Sequence, residues 1–149
     1  MKTLFIININ LQRNISIGYQ AGTDLTTASY SCLVGFQAGV DITTGSENTI
    51  FGSQSGYNLT TGINNVAVGS NTLMNTNSEN DNTAIGHHAL KDLTDGQYNT
   101  AVGSYAMDAN TTGTGNVGMG YIALQDITTG NYNIAIGYYA GKDITTAEK

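Results

Sequence analysis

A glycine returns every 17 residues along almost the whole chain, at Gly18, Gly35, Gly52, Gly69, Gly86, Gly103, Gly120 and Gly137. A fixed period of this size, kept for eight copies without insertion, is the mark of a solenoid, in which each unit buries its apolar side chains only against its neighbours. The units run 14–30, 31–47, 48–64, 65–81, 82–98, 99–115, 116–132 and 133–149. Asn opens every unit except one, where Ser31 replaces it, and the recurring glycine stands fifth. Positions within a unit are counted below from this opening residue.

Two apolar phases recur. Position 4 is Ile17, Val34, Phe51, Val68, Ile85, Val102, Met119 or Ile136, and it is never polar. Side chains alternate along a strand, so position 4 is predicted to line the interior and position 3 to face outward. Position 3 is small in most units, as at Ser16, Ala67, Ala84, Ala101, Gly118 and Ala135, which suggests close approach of another copy of the chain. A second inward set is predicted at position 12, from Leu25, Ile42, Leu59, Leu93, Ile127 and Ile144. Runs such as Asp41-Ile42-Thr43-Thr44-Gly45 follow Asp or Asn with Thr-Thr-Gly, where Thr favours extended backbone and Gly supplies positive φ for a corner. The pattern predicts an all-β, single-domain parallel β-solenoid over 14–149. Each of its eight coils would hold two short strands joined by glycine corners, giving a rod of roughly 38 Å. The fourth unit is the poorest copy, with Thr76 at an Ile/Leu position and Glu79 at a Gly position, so its corner at 75–81 is predicted to be distorted or more mobile.

Residues 1–13 do not fit the repeat. Phe5, Ile7, Ile9 and Leu11 alternate with Asn8, Asn10 and Gln12, the signature of a half-buried strand acting as an edge strand or cap. Lys149 falls on a repeat boundary, and an exposed coil end invites pairing. End-to-end assembly is therefore expected, with strand 4–12 docking onto a neighbouring subunit.

Charge narrows the function. Only 11% of residues are charged, five are basic and the formal net charge is −6. Such a chain cannot neutralise many phosphates, so nucleic acid and anionic lipid are not expected partners. No run approaches the roughly 18 apolar residues of a membrane span, so no membrane insertion is expected. Asn8 and Asn10 interrupt the apolar run after Met1-Lys2-Thr3, and no cleaved signal peptide is read there. Cys32, the one cysteine, is read as a small buried hydrophobe.

No Ser/His/Asp or Cys/His set and no paired carboxylates emerge, so neither enzymatic activity nor a cofactor is expected. Gly113-Thr114-Gly115-Asn116-Val117-Gly118 matches G-x-G-x-x-G, but that motif works only before a helix, and Gly113 belongs to a repeat corner. Neighbouring His87 and His88 would face opposite ways on a strand and not share a metal. Asp24, Asp41, Asp92, Asp126 and Asp143 stack in one phase with Asn58 and Asn75. Each could cap its own turn, and a calcium ladder at Asp24, Asp41, Asp126 and Asp143 is the alternative. Stacked Thr pairs raise an ice-binding surface, although adjacent residues such as Thr43 and Thr44 face opposite sides.

The units Asn99-Thr100-Ala101-Val102-Gly103 and Asn133-Ile134-Ala135-Ile136-Gly137 resemble the N-[TSV]-A-[IV]-G repeats in the heads of trimeric autotransporter adhesins. Similar repeats with Thr-Thr-Gly turns occur in bacteriophage tail fibres and related surface proteins. The resemblance covers 14–149. It implies a left-handed parallel β-roll, often a homotrimer whose small-residue strands face the threefold axis. The combined expectation is a structural repeat protein of an extracellular, cell-surface or virion fibre, a spacer or adhesin that self-assembles into a filament or trimer. Its partners would be further copies of itself and a host-surface receptor or glycan. The candidate interface comprises Phe5, Ile7, Ile9, Leu11, Ala67, Ala84, Ala101 and Ala135. The alternative is a ligand-binding solenoid with an ice- or glycan-binding surface.

Overall fold

A computed structural model describes residues 7–8 and 12–146. These residues form a β-solenoid without helix. Each coil contributes one three-residue strand at positions 2–4: β2 (Ile15–Ile17), β3 (Cys32–Val34), β4 (Thr49–Phe51), β5 (Val66–Val68), β6 (Thr83–Ile85), β7 (Thr100–Val102), β8 (Val117–Met119) and β9 (Ile134–Ile136). They make one sheet in chain order, parallel and in strict register, with Thr100 between Thr83 and Val117. The short β1 (Ile7–Asn8) pairs antiparallel with β2, placing Ile7 opposite Ile17. It therefore lies on the first coil of its own chain. Phe5, Ile9 and Leu11 lie outside the described residues.

The second strand expected in each coil is absent from the described residues. Around the Thr-Thr-Gly corner the backbone turns too tightly for a ladder, and the N–H groups of Thr43, Thr44 and Gly45 all donate to the one Thr60 carbonyl, at 2.9, 3.3 and 3.3 Å. Nor does that glycine supply a left-handed φ. The left-handed residues include Gln37 (53°), Glu47 (61°) and Leu73 (46°). Gly45 is required by proximity instead, because a Cβ there would lie 2.3 Å from the Gly62 carbonyl oxygen in the next coil.

The facing of the strand is the reverse of the expectation. Position 3 points inward: Leu33, Ile50, Ala67, Ala84 and Ala101 are fully buried, while positions 2 and 4 on either side look outward. The interior is narrow, and its volume is shared between position 3 and position 9. Where position 3 is large, as at Leu33 and Ile50, position 9 is Gly39 or Gly56, and a Cβ on Gly56 would lie 2.5 Å from Ile50 Cδ1. Where position 3 is Ala67, Ala84, Ala101 or Gly118, position 9 is Leu73, Leu90, Met107 or Leu124, all fully buried. Close-packed interiors tolerate such exchanges only when total volume is kept. Ile42, Leu59, Leu93 and Ile127 fill the interior from position 12, as predicted.

Position 1 is a buried polar spine. Asn99 donates its backbone N–H to Asn82 Oδ1 (3.0 Å) and its Nδ2 to the Gly113 carbonyl (2.8 Å), while its Oδ1 accepts the Asn116 N–H (3.0 Å). The pattern repeats from coil to coil, so a fully buried amide is satisfied at both ends, as burial demands.

The fourth corner is distorted, as its sequence suggests. Elsewhere the position 13 N–H donates to its equivalent in the next coil, Thr60 to Asn77 and Thr94 to Thr111. At this corner Asn77 and Ser78 donate to Glu79 Oε2, at 2.6 and 2.8 Å. The buried carboxylate thus stands in for a neighbouring carbonyl. Beside it Thr76 is fully buried with an unpartnered hydroxyl. Thr76→Val keeps the shape and removes that group, so it is expected to raise stability by about 1 kcal/mol. The midpoint of urea unfolding should rise at constant slope, and a fall would mean that the hydroxyl has a partner.

Candidate interaction face

With position 3 turned inward, positions 2 and 4 of all eight coils form two outward lanes. Stacking spaces the rows about 4.8 Å apart, and alternation along the strand separates the lanes by about 6.6 Å. Ile15, Cys32, Val66, Val117 and Ile134 stand in one lane with Thr49, Thr83 and Thr100, and eight apolar side chains fill the other. No charged residue interrupts either. Phe51 is 57% exposed, and Ile134 and Ile136 are 70% and 69% exposed. Taken as roughly 38 Å by 15 Å, the strip covers on the order of 550 Å², at the upper end of the largest apolar patch on an ordinary monomer. Cys32 belongs to this face and is half-buried, which corrects its reading as a core residue.

Aromatic rings mark both rims. Beyond the corner glycine, Tyr19 stacks on Phe36 at 5.5 Å and Tyr121 on Tyr138 at 5.5 Å. His87 stacks on His88 at 3.9 Å instead of facing away from it, because these residues lie in a turn and His88 has a φ of 60°. On the other rim Tyr30, Tyr98 and Tyr132 are exposed, and Arg13 lies over Tyr30, with Nη1 donating to its hydroxyl at 2.7 Å.

The acidic ladder pairs along itself. Asn75 Nδ2 donates to Asp92 Oδ1 at 2.8 Å, Lys91 sits 3.1 Å from Asp92, and Lys142 lies 3.3 Å from Asp126 and 3.2 Å from Asp143. Those hydrogen bonds hold the Lys142 ammonium above its usual pKa, Asp143 first and Asp126 second. Partial burial raises the Asp41 carboxyl, with Asp24 adding to the effect. Among the described residues no three His, Cys, Asp or Glu side chains gather as a metal site. Of the Thr pairs, Thr43 donates its hydroxyl to the Thr60 carbonyl at 3.2 Å while Thr44 is exposed, so each pair splits between ladder and solvent.

Of the candidate interface residues, Ala67, Ala84 and Ala101 are fully buried inside the coils and Ala135 is partly buried. The side chains of the three buried alanines cannot meet a partner. The residues that can are their neighbours on both sides, of which sequence reasoning had placed position 4 and Cys32 in the core. In the six inner coils the alternation of Gly with Leu or Met at position 9, inverse to the size at position 3, was the available signal for the true facing. No family profile matches the chain, and no curated protein or solved structure does.

Proposed function

We propose that the protein is a structural element of an extracellular or virion fibre, a spacer or adhesin that associates with further copies of itself through the two-lane sheet face. The observation that carries this reading is the uncharged apolar strip along eight coils, since patches of this extent mark interaction sites. A homotrimer suits a straight strip, because three copies can turn their strips to one axis and bury all three. The repeat resemblance supports the same arrangement, with Val and Ile in place of Ala at the axis.

Light scattering is expected to give three times the 15.6 kDa chain mass. Val68→Lys with Val102→Lys should reduce it to one chain without altering the circular dichroism. These outward residues test association, whereas Ala84 and Ala101, being interior, would test folding. A wild-type monomer at high concentration sinks the reading. A second reading, a ligand-binding solenoid, draws on Thr49, Thr83 and Thr100 standing in one lane among aliphatic side chains. It predicts a monomer with thermal hysteresis or glycan binding.

A further inference from the structure

Three successive coils place Asn71, His88 and Asp108 in line. His88 Nε2 lies 3.2 Å from Asn71 Nδ2, and His88 Nδ1 lies 3.9 Å from Asp108 Oδ1. With the Asn71 amide nitrogen donating, Nε2 accepts, and the proton of neutral His88 is assigned to Nδ1, the nitrogen nearer Asp108. Asp108 Oδ1 is buried and has no hydrogen-bond partner. The acceptor is in place, and the contact is too long for a hydrogen bond.

We infer that this line is a proton-operated toggle: proton uptake at His88 Nε2 turns the Asn71 amide over, so that Oδ1 accepts, and draws the imidazolium onto Asp108. In the neutral state Asn71 holds the ring. In the charged state Asp108 does, through a charge-assisted bond across the coil boundary. The inference concerns the single chain and stands whether or not fibres form.

The surroundings set the pH at which it operates. Partial burial and then stacked His87 lower the His88 pKa, Lys91 acts in the same direction, and Asp108 and Asp92 oppose them. Burial is also the largest influence on Asp108 and raises its carboxyl, against Lys91 and His88. Lys91 is held charged chiefly by its hydrogen bond to Asp92. Tyr105 stands edge-on to both imidazoles at 5.2 Å. A His whose folded pKa lies below its unfolded value takes up its proton more readily when unfolded. The fold therefore loses stability as pH falls through the ordinary histidine range near 6.5. His88→Gln should narrow the wild-type loss of Tm between pH 7.5 and 5.

The decisive measurement is a nitrogen-detected NMR titration of the full chain. Above pH 7.5, His88 should show the Nδ1–H tautomer. On acidification the Asn71 side-chain amide should shift with the same midpoint as His88. Asp108→Asn should lower that midpoint by about one unit, a tenfold weaker proton affinity. His87→Gln should raise it and leave the coupling to Asn71 intact. An Nε2–H tautomer, or an Asn71 amide that does not respond across the titration, overturns the toggle. Both readings come from the wild-type protein, so the outcome does not depend on how well any variant folds.

Discussion

Gly103→Ala is expected to lower stability by about 4 kcal/mol, whereas Gly137→Ala should cost no more than about 2. Both glycines hold a φ that L side chains rarely adopt, 138° and 129°. They differ in what lies against them. A Cβ on Gly103 would sit 2.2 Å from the Gly120 carbonyl oxygen, and this is rigid backbone that can retreat only by opening the boundary between two coils. On Gly137 it would meet nothing nearer than the Ala140 Cβ at 3.9 Å. Solenoid stability is a sum of coil and boundary contributions, so prising one boundary apart in the middle of the array removes a contribution that no neighbour replaces. Urea unfolding of the two variants separates the causes. Equal losses would mean that backbone strain alone keeps glycine in this phase.

Much of the architecture was legible in residues whose role is fixed by the stacking itself. A backbone repeated every 17 residues puts each glycine over the next, and the opening Asn, whose Oδ1 accepts from its equivalent in the next coil, recurs for the same reason. Ile42, Leu59, Leu93 and Ile127 were placed correctly because a solitary apolar residue between polar ones has only the interior to enter. The strand was misread because the rule that large apolar residues point inward presumes one hydrophobic face. Val66-Ala67-Val68 has an apolar residue on both faces, and alternation alone cannot choose between them. The choice is made by volume. Ala67 shares a narrow interior with Leu73, and two further branched side chains would not fit beside them. The stacked His87 and His88 were missed because strand alternation was applied to a turn.

Turning the strand over relocates the proposed interface as well. With Val68, Ile85 and Val102 inside, the chain would present an Ala surface with little apolar area for a partner. With them outside, their exposure is a standing cost in water that association relieves at about 25 cal/mol per Å² buried. The rims then limit what can approach. Tyr138 and the Tyr121 ring stacked on it stand at one edge, and Tyr132 stands at the other, so a flat strip is bordered by amphipathic rings suited to the boundary between an apolar contact and water.

The volume exchange between positions 3 and 9 makes the sharpest prediction about the core. Ile50→Ala alone should cost about 3 kcal/mol by leaving a cavity. Gly56→Leu alone should cost about as much, since the three atoms nearest a Cβ there all belong to Ile50, at 2.5, 3.6 and 3.7 Å. Together they convert the third coil to the pattern of the fourth, where Ala67 accompanies Leu73. The residual penalty is that of Leu in a left-handed conformation, about 1–2 kcal/mol, which Leu73 at 46° and Leu90 at 50° already bear. The double variant should therefore be about 4 kcal/mol more stable than the sum of the singles, a coupling larger than contacts between neighbouring side chains usually give. Four urea curves measure it. Additive losses would mean that the two positions do not share one space, and the inward facing of Ile50 would then need another cause.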